Sequence, residues 1–205
     1  MQKDRWYGTG HDFYTVEIWR GDALNIWHAG ADGVYTFNFF PGQQEQDKPL
    51  YQLFDQMGSP DTLKGLDKIY CIDRMVLEKF GAQKRHALVA PDRLPITFEK
   101  EGWTRAKLPV GENIAANTPS GKTCTARLQL SALAESDAVL LRLNGSELGE
   151  AAPIGALSSE PGAAWVALEP DRKLVKEGYN IVEVKLDSRP DLAEIPMIDL
   201  TVRYQ

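Results

Sequence analysis

The sequence has few of the residues that build disulfide frameworks and metal sites. It contains two cysteines, Cys71 and Cys124, which lie far apart in apolar contexts. Two such cysteines make neither a disulfide framework nor a zinc site, so we expect reduced, buried thiols. The chain also lacks HExxH, P-loop, paired CxxC and GxGxxG motifs, which hold metals or phosphates at fixed spacings. The sequence therefore predicts no metal and no cofactor.

Positive charge and long apolar runs are scarce as well. Lys and Arg number 23 against 29 Asp and Glu, which gives a net charge of -6. Nucleic-acid binding needs clustered Lys and Arg, so we predict no nucleic-acid partner. No apolar run approaches the roughly 20 residues of a membrane span, which predicts no membrane partner. Residues 1–10 show no apolar segment typical of a signal peptide, and the compartment stays open.

The first part of the chain has helical periodicity and then one strongly apolar run. Apolar residues recur at helical spacing over residues 16–27, and Gly30 can supply a left-handed cap. Residues 34–40 hold four aromatics, which is typical of a strand covered on both faces in a parallel sheet. The stretch "LYQLFDQM" predicts one short helix, and "SPDTLKG" predicts another that Ser59 caps.

After about residue 85 the pattern changes to period two. Short alternating runs such as "TCTARLQLSAL", "AVLLRLNGSEL", "NIVEVKLD" and "IDLTVRY" are separated by turn residues. Such runs predict an antiparallel β-sandwich. The predicted fold class is therefore α+β and multidomain. Residues 1–84 would be the end of a (β/α)8 barrel, and residues 85–205 a jelly-roll-like sandwich.

The first predicted domain is too short to be a complete barrel. A (β/α)8 barrel takes about 250 residues. This part supplies only the end of one strand, a helix, a second strand and short helices. We therefore expect the chain to be the C-terminal piece of a longer protein. A truncated parallel sheet would leave an open strand edge, which predicts self-association.

Two stretches carry a resemblance to known proteins. "EIWRGDALNIWHAGADGVYTFNFF" followed by "LFDQMGSPDTLKGLDKIY" resembles the end of the catalytic barrel in a group of bacterial glycoside hydrolase-like proteins. The resemblance implies that residues 34–40 form the eighth barrel strand. "LRLNGSELG" and "LVKEGYNIVEVKL" are similar to stretches of galactose-binding-like jelly-roll domains, which implies an accessory domain.

The resemblance implies carbohydrate chemistry, with a carboxylate pair flanking the scissile sugar bond. At least one of these carboxylates would come from an earlier strand. Asp12 and Glu17 are the candidates for an acid, a base or a sugar ligand in this chain, and no catalytic residue is assigned. The alternative is that Asp12 caps a turn and Glu17 complements the helix dipole. His11 and Tyr7 are candidate sugar contacts at the same strand end, and the alternative for His11 is an exposed loop residue without a ligand.

Three further residues are candidate sugar contacts. Asn38 has both a donor and acceptors for sugar hydroxyls, and Phe40 offers an aromatic face at the end of the predicted eighth strand. Both have an alternative interpretation, Asn38 as a strand cap and Phe40 as core. Trp103 lies in the turn-like "EKEGWTRA" and could bind a sugar or pack in the core.

Three functions remain open from the sequence. The first is a C-terminal fragment of a glycoside hydrolase that lacks the complete catalytic pair and is inactive alone. The second is a non-catalytic carbohydrate-binding or structural β-sandwich module. The third is a parent barrel that has lost catalysis and only binds its ligand. Carbohydrate is the predicted partner in each of these functions except a purely structural module.

Overall fold

The computed structural model describes residues 16–36, 51–73, 96–97, 102–134, 138–156, 163–186, 194–195 and 197–205. The helices are α1 (Val16–His28), α2 (Gln52–Met57) and α3 (Pro60–Leu63). The first five strands are β1 (Lys68–Asp73), β2 (Ile96–Thr97), β3 (Thr104–Val110), β4 (Cys124–Ala134) and β5 (Val139–Leu143). The others are β6 (Ser146–Ala156), β7 (Ala163–Leu168), β8 (Gly178–Leu186), β9 (Glu194–Ile195) and β10 (Met197–Tyr204), with a 3₁₀ turn at Arg172–Leu174 before β8.

The helix ends follow the signals in the sequence. Gly30 has a φ of 89°, and its N–H donates to the Trp27 carbonyl at 3.0 Å while the Ala31 N–H donates to Ile26 at 3.4 Å. This pair of bonds is the left-handed C-terminal cap expected at Gly30. The Ser59 hydroxyl accepts a hydrogen bond from the Asp61 N–H at 3.2 Å. The caps predicted at Gly30 and Ser59 are therefore confirmed.

One antiparallel sheet of eight strands dominates the described part of the chain, in the order β1-β10-β4-β7-β6-β5-β8-β3. Strand β6 joins its two halves because residues 146–151 pair with β5 whereas residues 152–156 pair with β7. A register shift between Pro153 and Gly155 marks an irregularity in the β6–β7 pairing. The terminal strands β1 and β3 contact each other, so the sheet is nearly closed and barrel-like.

The alternation of apolar residues places the core inside this sheet. On β4, Ala126, Leu128 and Leu130 are buried while Thr125 and Arg127 are exposed, as their period-two pattern predicts. The same interior takes up buried side chains from β1, β3, β5, β8 and β10, and from the helices Leu24, Leu53 and Leu63. The hydrophobic effect thus acts on one shared core that includes α1.

Helix α1 lies unusually close to the sheet. A Cβ on Gly21 would overlap the carbonyl oxygen of Ile69 on β1, and a Cβ on Gly111, just after β3, would overlap the backbone of Leu24 and Asn25. Only glycine allows two backbones to approach this closely. Because β1 and β3 are the terminal strands, α1 sits over the seam where the sheet nearly closes.

The predicted fold class is wrong. Every described strand pairing is antiparallel, so these residues form no portion of a (β/α)8 barrel. Their eight main strands form one nearly closed antiparallel sheet. Residues 34–36 form no strand, and residues 37–40 lie outside the described residues. A short apolar run cannot by itself distinguish a parallel strand from other packed segments, which explains the error.

The division of the chain at residues 84 and 85 lies outside the described residues and stays a prediction. β1, from the predicted first part, pairs along its whole length with β10 from the second, with Lys68 opposite Val202 and Asp73 opposite Met197. The described residues on both sides of the division therefore share one sheet.

Replacing Gly21 or Gly111 by Ala should destabilise the protein by about 1–3 kcal/mol, because the added methyl group has no space between two backbones. Ala is the better helix former by about 1 kcal/mol, so Gly21→Ala tests whether the clash outweighs propensity. Urea denaturation gives the free energy of unfolding. Gly33→Ala is the matched control, since a Cβ there meets no atom within 4 Å. Equal stability of Gly21→Ala and Gly33→Ala would contradict the close contact.

Asp22 on α1 should make stability depend on pH. The residue is half-buried, and the loss of hydration at its carboxyl raises the pKa of Asp22 to about 7. Because an unfolded aspartate has a pKa of about 3.9, the neutral carboxyl is favoured on folding. The contribution of Asp22 to stability is therefore full below about pH 4 and is lost as the pH rises through about 7.

Asp22→Asn should remove this dependence, because the amide has nearly the same shape and does not ionise. We expect the variant to match the wild-type protein at pH 4 and to exceed its urea midpoint at pH 8. An equal difference between the two proteins at pH 4, 6 and 8 would show that the carboxyl does not titrate in this range.

Candidate functional site

A row of alternating charges crosses the outer side of four neighbouring strands. Arg105 on β3 pairs in register with Glu183 on β8, Glu183 with Arg142 on β5, and Arg142 with Glu147 on β6. Residues next to them in the strands, Ala106, Val182, Val184, Leu141 and Leu143, are buried in the core. Because successive side chains alternate between the two faces of a sheet, the row lies on the outer face.

Trp103 immediately precedes β3 and covers part of this row. The Arg142 guanidinium carbon lies 4.0 Å from the centroid of the Trp103 ring, a distance typical of cation–π stacking. The same guanidinium donates a hydrogen bond to the Glu147 carboxylate. Trp103 is half-buried. We call Trp103, Arg105, Arg142, Glu147 and Glu183 the Trp103 face.

The Trp103 face offers the groups that sugar recognition uses. The Arg105 Nε donates to Glu183 at 2.9 Å, yet 74% of the Arg105 side chain is exposed while only 7% of the Glu183 side chain is. The terminal N–H groups of Arg105 can therefore donate to ligand oxygens. An aromatic surface beside fixed polar donors suits a ring that has both an apolar face and hydroxyl groups.

A second polar group of residues lies fully inside the protein. Lys68 is 0% exposed and Glu112 2%, and the Lys68 ammonium lies 3.1 Å from the Glu112 carboxylate. The Tyr70 hydroxyl donates to the same carboxylate at 2.8 Å, and the Lys68 ammonium also lies 5.0 Å from the centroid of the Tyr204 ring. We call Lys68, Tyr70, Glu112 and Tyr204 the buried cluster.

Burial sets the protonation of this cluster. Loss of hydration lowers the pKa of Lys68, and the nearby Glu112 carboxylate acts in the opposite direction. Burial also raises the pKa of Tyr70 and of Tyr204, and the charge of Glu112 raises both further. The Tyr204 hydroxyl is buried and makes no hydrogen bond with the described residues. Since the charged pair is enclosed, the cluster does not present a group to a substrate.

Of the two candidate catalytic carboxylates, Glu17 is among the described residues. It lies in the first turn of α1, and its carboxylate accepts a hydrogen bond from Arg203 on β10 at 3.3 Å. Arg203 also donates to the Asp67 carboxylate at 3.2 Å, and the second Asp67 oxygen accepts from the Tyr204 N–H at 2.8 Å. Glu17 therefore ties α1 to the last strand. Tyr7, His11, Asp12, Asn38 and Phe40 lie outside the described residues.

The structure places Trp103 on the outer face, and its role as a sugar contact stays a prediction. It also adds four residues that the sequence did not identify: Arg105, Arg142, Glu147 and Glu183. Each is a polar residue in an alternating run, so the sequence marks it as outward-facing. Their alignment into one row depends on strand register, and nothing in a single alternating run specifies which strands become neighbours.

The amide side chains of the "NG" and "GYN" stretches have structural roles. Asn144, at a φ of 54° in the β5–β6 turn, donates from its amide to Leu174 at 2.8 Å and to Asn180 at 2.9 Å and accepts from the Ile181 N–H at 3.0 Å. Asn180 in turn donates to Lys176 and Gly178. These amides are bound to protein groups, so the stretches that resemble galactose-binding-like domains mark a turn here.

The described residues were searched for metal-binding groups and for membrane-spanning helices. No group of three His, Cys, Asp or Glu side chains in this part of the protein is arranged to hold a metal ion. No helix in the described ranges has the length and apolar character needed to cross a membrane.

Comparisons with known proteins find no matching family model and no matching curated protein. Among solved structures, a glycoside hydrolase family 86 protein in complex with neoagarooctaose is 13% identical, with a TM-score of 0.32 over 51% of this chain and 16% of that chain. A β-porphyranase of the same family from the human gut bacterium Bacteroides plebeius is 18% identical, with a TM-score of 0.32 over 54% and 19%.

A variant of the first enzyme, also in complex with neoagarooctaose, is 11% identical, with a TM-score of 0.34 over 68% of this chain and 18% of that chain. The chain thus spans less than a fifth of the length of these three structures. These three neighbours are glycoside hydrolases of family 86.

Separating the members of the buried ion pair should be strongly destabilising. We expect Glu112→Gln to lower the free energy of unfolding by about 3–5 kcal/mol, because it leaves the enclosed Lys68 ammonium without its counter-ion. Lys68→Met should have a similar effect. The double variant should lose clearly less free energy of unfolding than the sum of the losses in the two single variants. A double-mutant cycle by urea denaturation measures this difference.

The exposed pair Lys64–Asp61 is the control, since the exposed fractions of its side chains are 54% and 78%. Asp61→Asn should change stability by less than about 1 kcal/mol. Additive effects of the Lys68 and Glu112 variants would mean that the two groups do not interact in the folded protein.

Proposed function

We propose that the described residues form a non-catalytic, carbohydrate-binding β domain of a glycoside hydrolase-related protein. The observation that supports this proposal is the Trp103 face, where the indole stacks on Arg142 and the exposed Arg105 lies in the same charged row on the outer side of the sheet. The resemblance of residues 17–40 and 53–70 to glycoside hydrolase-like proteins supplies the ligand class. The galactose-binding-like assignment of residues 85–205 belongs to the same proposal.

The hydrolytic step is assigned to parts of the parent protein outside these residues. Glycoside hydrolysis needs two carboxylates placed on either side of the sugar bond. Glu17 is bound to Arg203, and the carboxylates of the Trp103 face are bound to Arg105 and Arg142. The domain therefore contributes binding, and the chain alone is expected to hydrolyse no glycan.

A purely supportive role is the second candidate function. It is favoured by the backbone contact of α1 with β1 and Gly111 and by the ion pairs that link Glu17, Asp67 and Arg203. Such contacts would let the sheet hold α1 in a fixed position. In this alternative the Trp103 face has no ligand, and the domain stabilises its neighbour in the parent protein.

Glycan binding by the whole chain distinguishes the two functions. We expect a glycan array that includes neoagarooctaose to show binding, and Trp103→Ala to weaken it at least about tenfold. Truncating a central Trp commonly costs more than about 1.4 kcal/mol of binding free energy, which is a factor of ten. Isothermal titration with the best array ligand gives the dissociation constants, and thermal unfolding verifies that the variant is folded.

Tyr179→Ala is the matched control. Tyr179 is an aromatic residue on β8, 56% exposed, and pairs with Pro109 at the far end of β3 from Trp103. Its replacement should leave the affinity unchanged. Absence of binding at millimolar glycan, or equal losses in both variants, would remove the carbohydrate-binding proposal and leave the supportive role.

A further inference from the structure

Arg142 is held in an arrangement that a simple surface ion pair does not require. Its guanidinium stacks on Trp103 at 4.0 Å and donates to Glu147, while its Nε is buried and makes no hydrogen bond with the described residues. The side chain lies between Glu183 and Glu147 in the charged row. Burying an unpaired N–H is costly, so the stacking contact must help to fix this position.

We infer that Arg142 is a positioning residue that fixes the Trp103 indole in a single orientation for its ligand. This inference rests on the proposed carbohydrate binding and assigns a role within the same site. Arg142 occupies one face of the ring, so a sugar would use the remaining accessible surface of the indole. Glu147, across the β5–β6 hairpin, fixes the guanidinium in turn.

The physical gain is preorganisation. Trp103 precedes β3 and lies outside its hydrogen-bonded residues, so backbone pairing alone does not fix its ring. Ordering a side chain upon binding lowers affinity, and a side chain that is already ordered avoids this loss. The planar guanidinium can stack on an aromatic face, whereas the ammonium of lysine is a compact charge. Charge alone should therefore not replace Arg142.

The orientation of the ring can be measured without any ligand. We would incorporate 5-fluorotryptophan, assign the Trp103 signal in the ¹⁹F NMR spectrum with Trp103→Phe, and compare Arg142→Lys, Arg142→Met and Glu147→Gln. We expect the Trp103 signal to shift and broaden in both Arg142 variants and to change less in Glu147→Gln. The other tryptophan signals should stay in place, which verifies that the variants are folded.

Arg127→Lys is the matched control, because Arg127 forms an exposed ion pair with Glu169 on another part of the sheet. It should leave the Trp103 signal unchanged. An unchanged signal in Arg142→Lys and Arg142→Met would overturn the positioning role directly. A signal that changes in Arg142→Met but is normal in Arg142→Lys would also overturn it, since charge alone would then suffice.

Titration with the best array glycan then links orientation to binding. We expect Arg142→Lys to weaken affinity about five- to tenfold although it keeps the positive charge. If Arg142→Lys changes the Trp103 signal but binds glycan as well as the wild-type protein, the orientation does not serve binding and the inference fails. If the signal changes as expected and the wild-type protein binds no glycan, the proposed function fails while the Arg142–Trp103 contact stands.

Discussion

The close contact between α1 and the terminal strands is the constraint on which the rest of the structure depends. Gly21 lies against the Ile69 carbonyl of β1, and Gly111, after β3, lies against Leu24. The helix thereby covers the seam at which the sheet nearly closes and buries Leu24 in the core. Without it, the terminal strands would expose unpaired edges and apolar interior surface to water.

The same seam explains where the two polar groups of residues lie. Lys68 and Tyr70 begin β1, and Glu112 follows β3, so the nearness of the two terminal strands encloses their ion pair. The charged row and Trp103 lie on the outer face of β3, β8, β5 and β6 and remain partly open to solvent. The enclosed cluster is out of reach of a ligand, whereas the outer face is accessible to one.

The sequence predicted local structure well and the overall architecture poorly. The caps at Gly30 and Ser59 and the alternation on β4 depend on a few neighbouring residues, and all three are confirmed. The parallel barrel was wrong because residues 34–36 form no strand and β1 pairs with the distant β10. Such pairing depends on contacts between residues far apart in sequence, which neither periodicity nor propensity encodes.

In the candidate site, too, the sequence indicated single residues but not their long-range partners. Trp103 stands out by its residue type, and the structure places it on the outer face. Its partner Arg142 could not be found from the sequence, because that contact arises from the neighbouring positions of β3, β8 and β5. Glu17 was a catalytic candidate by its position near a predicted strand end. Its ion pair with Arg203 depends on the last strand, 186 residues further on.

Native-state hydrogen exchange tests most directly whether α1 and the sheet form one cooperative unit. We expect central amides of α1, such as those of Leu24 and Asn25, to exchange with the same opening free energy as amides of β1 and β10. Addition of low concentrations of denaturant should affect all three elements equally. Exchange of the α1 amides at least about 100-fold faster than those of the sheet, while the sheet stays protected, would contradict the account.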